Sequence, residues 1–331
     1  MTLREISTYG EECIARKFHH AAPFAILHGV EFTLMDFLAA IDVAYSTAYG
    51  VVNAALLRLQ YPLMVCAAYG LLEWLLPRRK ANSWRSYLRA ARFVAASVLI
   101  NTIVLALAEH LVQSLHLRPL AIVDLRGLTE SPWLPQRVAG WIAAAFAISL
   151  IGNVFYYWLH RAQHRVQVLW RQHSVHHSIR EMSAASSYHH FTEDILQFVF
   201  VVVPMSILLG VESGPVPWIV LAITATHSYF IHSSTRLHLG WLRYVIGDNR
   251  FHRLHHSLEP KHFNKNFGTS TPLWDVLFGT AYFPSKDEWP EVGLEGVSEP
   301  ETVKEYLVRP FVSVGREQTM GARLDVVSRR R

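Results

Sequence analysis

Five long apolar segments constrain the fold of this chain more than any other feature of its sequence. They are Tyr61–Leu76, Phe93–Leu111, Val138–Leu159, Ile195–Leu209 and Pro217–Ile231. Runs of this kind are typical of helices that cross a bilayer, because in lipid every backbone polar group must be paired within the structure. A further apolar stretch, residues 23–58, contains Glu31, Asp36 and Asp42. That stretch fits a membrane span and an interfacial or re-entrant helix equally well.

The composition also favours a membrane protein. Apolar residues make up 51% of the 331 residues and charged residues 17%, against roughly 25% charged residues in soluble domains. The net charge of +5 would by itself allow nucleic-acid binding, but the cations lie in short clusters beside apolar runs, at residues 77–80, 85–92 and 329–331. Such clusters are typical of the cytoplasmic ends of membrane helices. We therefore expect an integral membrane protein with no nucleic-acid partner.

The order of the segments predicts which of their ends share a membrane face. Basic flanks place the loop 77–92 in the cytoplasm, and the less cationic connection 112–136 falls on the opposite face. The segment Val138–Leu159 then returns to the cytoplasm, and a Gly- and Pro-rich turn at residues 210–217 predicts a hairpin with both ends there. The sequence therefore predicts an all-α fold: four or five transmembrane helices under a cytoplasmic helical cap, in an inner, plasma or endoplasmic reticulum membrane.

The number of histidines is the second unusual feature. The chain has nineteen histidines, and thirteen of them lie between His160 and His256. Eight fall into three groups with helical spacing: His160 and His164; His173, His176 and His177; His252, His255 and His256. Positions i, i+3 and i+4 lie on one face of a helix, so each group presents its imidazoles together. Eight imidazoles suit two metal ions with open positions, since one ion takes about four. We predict these eight as metal-ligating, catalytic residues.

Four further histidines near these groups have a weaker pattern. His227 and His232 lie at the end of the last apolar segment, and His189 and His190 precede another. An ionisable group at membrane depth favours a functional role. By position alone, His227 and His232 fit a ligand and a structural role equally well. His190 fits a ligand or a residue that supports one, and His189 fits a structural role.

Glu193, Asp194 and Asp248 are carboxylates close to the histidine groups. We expect them to accept hydrogen bonds from ligand N–H groups and so to fix the orientation of the rings. A helix cap or a salt bridge explains them equally well. Paired Glu-x-x-His motifs on helices, which soluble di-iron bundles use, are not found, and neither is the His-Glu-x-x-His motif of zinc proteases.

The predicted chemistry follows from the ligand type and its setting. Imidazole suits iron, zinc and copper alike, but a two-metal site at a membrane face, with an apolar route to it, fits lipid oxidation better than hydrolysis. Two ferrous ions could share the reduction of O₂ and remove hydrogen from an unactivated carbon. No haem or flavin motif is visible, so we expect a separate reductase or electron-transfer protein to donate electrons, docked on the basic cytoplasmic surface.

Two other functions use part of the same pattern. The histidines could belong to a membrane protein that binds or transports metal ions, although transport should place them within several spans and not at one face. They could also hold zinc in an enzyme without redox chemistry. Only the oxygenase interpretation uses every histidine group.

Four motifs of this chain together resemble a known family. They lie at His160–His164, Trp170–Ser178, Arg250–Ser257 and Asn266–Thr280, with a short gap between His164 and His173. These residues resemble the sterol desaturase / fatty acid hydroxylase superfamily over about residues 145–285. The resemblance implies a non-haem di-iron centre on the cytoplasmic side, with the matching histidines as ligands.

The resemblance also bears on the weaker histidines and on the substrate. His190 and His232 match family histidines, and we predict both as ligands. Where members carry another histidine, four residues before the one at His232, this chain has Ser228, with His227 one position away. The implied reaction is hydroxylation or desaturation of a sterol, fatty acyl, carotenoid or ether lipid.

We divide the chain into three predicted regions. Residues 1–140 hold a polar N-terminal segment and membrane helices, residues 141–285 form the catalytic region, and residues 286–331 form a C-terminal cytoplasmic tail. The polar start covers residues 1–22, and residues 312–331 predict a loosely ordered basic end.

Overall fold

The structure is a computed structural model that describes residues 34–78, 82–114, 118–212 and 216–312. Its α-helices are α1 (Leu34–Leu75), α2 (Trp84–Ser114), α3 (Arg126–Thr129), α4 (Leu134–Gln163), α5 (Gln167–His177), α6 (Phe191–Gln197), α7 (Val203–Leu208), α8 (Val216–His232), α9 (Asn249–His255), α10 (Leu273–Leu277) and α11 (Val303–Val308). A π-helical turn, Phe198–Val202, joins α6 to α7, and short 3₁₀ turns cover Ala184–Ser187, Gly240–Tyr244, Pro260–His262 and Arg309–Phe311. Two strands complete the described elements: β1 (Ala121–Asp124) and β2 (Leu209–Glu212).

Four stretches of the described residues are long and apolar enough to cross a membrane. They are Tyr49–Leu75, Trp84–Ala108, Leu134–Gln163 and Phe191–Leu208, with a shorter apolar helix at Ile219–His232. Large side chains on these helices are exposed, for example Trp74 at 70% and Leu107 at 68%, as lipid-facing side chains must be. The prediction of an integral membrane protein with four or five spans is confirmed.

Helix α1 includes part of the first apolar stretch. The stretch from residue 34 onward and the predicted segment at Tyr61 form one continuous helix, with Pro62 inside it. By their contacts, the described residues before and after the boundary at Ala54 and Ala55 fall into two units, and α1 contributes to both. The predicted polar segment 1–22 lies outside the described residues.

A two-stranded parallel sheet is the one departure from an all-helical fold among the described residues. Strand β1, from the connection 112–136, pairs with β2, from the Gly- and Pro-rich turn, in the register Ala121 with Leu209 through Asp124 with Glu212. Both strands follow the far ends of membrane helices, so their backbone groups can pair with each other. The pairing places these two connections at the same end of the helices, as predicted.

The cap packs on α2 through aromatic side chains. The Phe93 ring stacks on that of Tyr306 in α11 at 4.8 Å and meets Tyr188 edge-on at 5.2 Å. The Arg89 guanidinium also lies 2.7 Å from the Glu299 carboxylate. Glu299 and Tyr306 are therefore packed against α2, and residues 313–331 of the predicted basic end lie outside the described residues. The predicted boundary at residue 140 falls inside α4, and the division into three regions stays a prediction.

Candidate metal centre

The three histidine groups lie on three helices whose ends meet at one end of the bundle. His160 is in the last turn of α4, and His164 caps its C-terminus. The second group occupies the end of α5, and the third occupies α9 and its C-cap. All eight residues are buried, each 4% exposed or less. The helical spacing predicted from the sequence therefore presents eight imidazoles inward together.

The nitrogens of nine histidines form two clusters, in each of which one nitrogen per ring lies within 4.8 Å of the others. Cluster A consists of His160, His164, His173, His177 and His255. Cluster B consists of His176, His232, His252 and His256. Each of the predicted eight and His232 is therefore placed in one cluster or the other.

The two clusters are interleaved through α5 and α9. On α5, the i, i+4 pair His173 and His177 joins cluster A, while His176 joins cluster B. On α9 and its cap, the pair His252 and His256 joins cluster B, while His255 joins cluster A. Each helix thus holds two rings in one cluster and sends one to the other, and the clusters lie side by side.

Backbone carbonyl groups fix the orientation of four rings. His160 Nδ1 donates to the Phe267 carbonyl at 2.7 Å, and His255 Nδ1 donates to that of Lys265 at 2.8 Å. In cluster B, His176 and His232 donate in the same way to the carbonyl groups of Tyr188 and Ser228, at 2.8 and 2.7 Å. A carbonyl oxygen can only accept, so Nδ1 carries the proton in each neutral ring, and Nε2 keeps a lone pair.

The loop that supplies two of these carbonyl groups is itself held by the C-terminal motif. Asn266 adopts a left-handed backbone with φ of 60°, and its amide donates to the carbonyl groups of Phe251 and Tyr282 at 2.9 and 2.8 Å. The buried Asp275 carboxylate accepts from the backbone N–H groups of Phe267 and Gly268, at 2.8 and 2.7 Å. The family-like motif at residues 266–280 therefore positions His160 and His255 through their backbone acceptors.

Glu193 supports cluster A from a side chain. His173 Nδ1 donates to its Oε2 at 3.0 Å, and Gln163 Nε2 donates to the same oxygen at 2.8 Å. Both Glu193 and Gln163 are fully buried. The geometry places Glu193 where a carboxylate that orients a ligand ring should lie.

His189 lies nearer to the clusters than His190, although the sequence favoured the opposite placement. His190 donates and accepts away from both clusters: its Nδ1 pairs with Thr192 Oγ1 at 2.7 Å and its Nε2 with the Leu307 carbonyl at 3.2 Å. His189 instead stacks on His176 at 3.7 Å and can join His173 and Glu193 in a third group. His190 is the N-cap of α6, and its ring nitrogens bond to Thr192 and Leu307 and join neither cluster. His189 lies against His176 of cluster B.

Three other predicted residues lie outside the clusters. His227 Nε2 donates to the Gly247 carbonyl at 2.7 Å. Asp248 caps α9, accepting from the Phe251 N–H at 2.9 Å, and Asp194 pairs with the Asn101 side-chain amide. For Asp248 the structure favours the alternative explanation, a helix cap. Asp194 has a role that neither explanation named, a hydrogen bond to a residue of α2.

Glu73 is a buried carboxylate whose role sequence reasoning missed. It accepts from the backbone N–H groups of Ala184 and Ser234 at 2.9 and 2.8 Å, and from the Tyr87 hydroxyl at 2.6 Å. Ala184 begins the turn before His189, and Ser234 follows the end of α8. The signal in the sequence was a lone acid at the end of an otherwise apolar segment.

Electrostatics keep the imidazoles neutral. Burial lowers the pKa of His176, His177, His252 and His256 well below the ordinary value, and neighbouring histidines lower it further. A neutral ring can bind a metal ion, whereas a protonated ring cannot.

The contacts between rings fit metal ions and do not fit hydrogen bonds. His160 Nε2 and His173 Nε2 lie 2.9 Å apart, and His176 Nε2 and His232 Nε2 lie 3.0 Å apart. Since each Nδ1 in these pairs donates elsewhere, both facing Nε2 atoms carry lone pairs, which repel in a buried site. A shared cation removes that repulsion. Two nitrogens each about 2.1 Å from one ion, at a right angle, lie about 3 Å apart.

A cavity of about 880 Å³ lies among the membrane helices, next to the clusters. Its wall includes apolar side chains such as Val94, Val98, Ile148 and Val201, and His189 and Tyr156 also line it. Tyr156 contacts His160 at 5.4 Å between ring centroids. The cavity is large enough for a lipid-like ligand, and one part of its wall touches each cluster.

Comparisons with known proteins agree with this arrangement. Residues 145–280 match the fatty acid hydroxylase family. An ornithine lipid hydroxylase of Rhizobium tropici is 28% identical over 57% of this chain and 54% of its own length. The human alkylglycerol monooxygenase is 26% identical over 50% of this chain and 34% of its own. A very-long-chain aldehyde decarbonylase of Oryza sativa is 29% identical over 51% and 27%.

The chain spans about half the length of these relatives or less. No solved structure matches the chain. The matched region contains all nine clustered histidines and the Asn266–Thr280 motif.

Proposed function

We propose that this chain is a membrane oxygenase that hydroxylates or desaturates an unactivated C–H bond in a lipid-like substrate, because its residues 145–280 match the fatty acid hydroxylase family. The observation that carries the proposal is the pair of buried histidine clusters beside a cavity among the membrane helices. The printed names of the relatives, an ornithine lipid hydroxylase and an alkylglycerol monooxygenase among them, support a lipid substrate for this chain too.

Two iron ions are the proposed cofactors, one held by cluster A and one by cluster B. Bound iron would supply the redox chemistry through which O₂ attacks an aliphatic C–H bond. The donor set supports iron because all its ligands are imidazoles and it lies beside an apolar cavity. It also contains more imidazoles than a single ion can bind. His189 is a further proposed ligand in place of His190.

The chain's own residues have three proposed tasks. The backbone carbonyl groups of Phe267, Lys265 and Tyr188 hold the imidazoles with Nε2 directed inward. The Glu193 carboxylate accepts the hydrogen bond from His173 Nδ1 and so orients that ring. The buried walls exclude water from the reacting carbon and keep the lipid chain in one position, which gives the reaction its selectivity.

Electrons come, in this proposal, from a separate electron-transfer protein that docks beside the clusters. Arg165 and Arg171 are exposed on the turn and helix that carry the second histidine group, and an acidic carrier would be attracted to them. Replacing both by Gln should slow turnover with a protein donor and leave turnover with a small chemical reductant unchanged. Equal rates with the protein donor in both forms would remove this docking surface.

The decisive experiment is reconstitution of the purified, metal-free protein. Ferrous iron, a reductant and O₂ are added with a lipid extract, and products are identified by mass spectrometry. A product one oxygen heavier than its precursor indicates hydroxylation, and one lighter by two hydrogens indicates desaturation. The matched variants are His173→Ala, which should be inactive, and His262→Ala, whose ring pairs with Ser257 and Glu288 outside both clusters and which should stay active.

The same experiment separates the proposal from its alternatives. A zinc enzyme without redox chemistry would act equally well with zinc and without O₂. A metal transporter would move ions across vesicles and consume no O₂. Iron found in the isolated protein would not decide between them, because purification can exchange metals, whereas an oxidised lipid formed only with iron and O₂ would.

A further inference from the structure

The cavity next to the clusters has a polar wall that its apolar surroundings do not explain. Asn153 of α4 is 5% exposed, and its amide N–H donates to Thr269 Oγ1 at 3.1 Å. Asn153 Oδ1 has no hydrogen-bond partner among the described residues, and neither has Ser149 Oγ one turn earlier. Both side chains line the cavity. A buried acceptor without a partner is unfavourable, so a ligand group is expected there.

His227 adds a second acceptor to the same wall. Its Nε2 donates to the Gly247 carbonyl at 2.7 Å, so in the neutral ring Nδ1 carries a lone pair. The Gly247 N–H in turn donates to the Ser270 carbonyl at 3.1 Å, next to the Thr269 that holds Asn153. The Asn153 and His227 side chains are therefore each held by a hydrogen bond, and each retains an acceptor atom, Asn153 Oδ1 and His227 Nδ1.

We propose that Asn153, Ser149 and His227 form a subsite that binds a hydroxyl or N–H group of the lipid substrate. The proposal rests on the proposed oxygenase function and names its substrate class: a lipid with a hydrogen-bond donor inside the cavity, such as a lipid alcohol or amide. A hydrocarbon offers no polar group, and an ether offers only an acceptor, so neither satisfies Asn153 Oδ1.

The position of the subsite separates the anchored group from the oxidised carbon. Asn153 precedes His160 by seven residues on α4, which is about 10 Å along the helix axis. Tyr156 lines the cavity between them on the same face. The subsite therefore anchors one part of the lipid, and a different part several bonds away reaches the clusters.

The test is a binding measurement on the metal-free protein in lipid nanodiscs. The probes are 1-hexadecanol, its methyl ether and hexadecane, which share a chain and differ in the polar group. We expect the wild type to bind the alcohol at least tenfold more tightly than the ether. Asn153→Leu should reduce this preference to twofold or less without changing hexadecane binding, and Ser149→Ala should reduce it in the same direction.

Thr224→Val is the matched control, because Thr224 lines the same cavity but its hydroxyl already donates to the Val220 carbonyl at 2.8 Å. The alcohol preference should survive in that variant. A wild type without the preference, an Asn153→Leu variant that keeps it, or a Thr224→Val variant that loses it equally would overturn the subsite.

Metal-free binding also keeps the two proposals apart. If the alcohol preference is found but iron and O₂ give no oxidised lipid, the oxygenase function fails and the subsite stands. If lipids are oxidised but the preference is missing, the subsite fails alone. Oxidation of the hydroxyl-bearing carbon itself in hexadecanol would contradict the separation of about 10 Å along α4.

Discussion

Five rings of the two clusters have an identified hydrogen-bond partner at Nδ1. In four of them the partner is a backbone carbonyl, and in His173 it is a carboxylate. Carbonyl groups belong to the main chain, so a substitution at Phe267 or Tyr188 would leave the acceptor for His160 or His176 in place. Glu193 is different, because its side chain is the acceptor for His173. The orientation of most of these rings therefore depends on the course of the backbone, whereas that of His173 depends on the Glu193 side chain.

The two histidines His176 and His190 should differ in their effect on metal binding. His176→Ala removes a nitrogen from cluster B and should reduce bound metal by about one ion for each chain. His190→Ala removes the cap contacts with Thr192 and Leu307 but no nitrogen of either cluster, so its metal content should match the wild type. Metal analysis of both variants after identical iron loading makes the comparison.

His189→Ala completes that series. Since His189 stacks on His176 and lies within reach of His173, its loss should weaken metal binding more than the loss of His190. Equal metal content in the two variants would remove His189 from the proposed ligand set.

Gly152 offers a direct test of the cavity at the same scale. It lines the cavity, and a Cβ added there would meet no atom within 4 Å. Gly152→Leu should therefore fill cavity space without strain, and long-chain lipids should bind at least several-fold more weakly while metal content is unchanged. Ile151→Phe is the control, because Ile151 is 40% exposed on the adjacent face. An equal loss of binding in both variants would mean that the cavity is not the lipid site.

At the scale of elements, Glu73 joins three segments that are far apart in the chain. Through its carboxylate, the end of α1 holds the turn before His189, the residue after α8 and, through Tyr87, the start of α2. The segments on either side of cluster B therefore depend on one acidic residue in a membrane helix.

Replacing Glu73 by Leu should strand two buried backbone N–H groups, which costs about 2–4 kcal/mol of unfolding free energy. Glu73→Gln should cost much less, since its amide oxygen can still accept from Ala184 and Ser234 and its N–H₂ group can donate to the Tyr87 oxygen. Thermal unfolding in detergent measures both. If the two variants unfold at the same temperature, the hydrogen bonds of Glu73 do not stabilise the fold.

At the scale of the whole molecule, the clusters make the stability of the metal-free protein dependent on pH. Burial lowers the pKa of His176, His177, His252 and His256 in the folded state, whereas in the unfolded chain it is about 6.5. Below that pH the unfolded chain binds more protons than the folded protein, so folding stability falls as pH decreases.

We therefore expect constant stability of the metal-free protein above about pH 7. Below pH 6.5, each of these imidazoles should contribute a loss of up to about 1.4 kcal/mol for each pH unit. Melting temperatures measured from pH 8 to pH 5 test the expected direction. Iron-loaded protein should resist acid further, because protons must then compete with the metal. A melting temperature that rises with acidification would contradict the burial of neutral rings.

Local patterns of the sequence were enough to predict the apolar spans and to identify the histidines of the three groups as candidate metal ligands. Apolar runs and i, i+3, i+4 spacing each depend on one segment, and a helix follows from such a segment without knowledge of its neighbours. For the same reason the predicted all-helical fold missed β1 and β2, whose pairing joins residues 121–124 to 209–212. Strand pairing depends on two segments at once.

What the sequence determined by itself is that this chain crosses a membrane and carries three helical faces of imidazole. Only the tertiary structure decided that His176 leaves the cluster of its neighbours His173 and His177, and that His190 caps α6 while His189 lies against His176. It also decided that Glu73 and Asp275 hold the surrounding backbone. The physical reason is that neighbouring residues on a helix point about 100° apart, so which of them meets which partner depends on how distant helices approach.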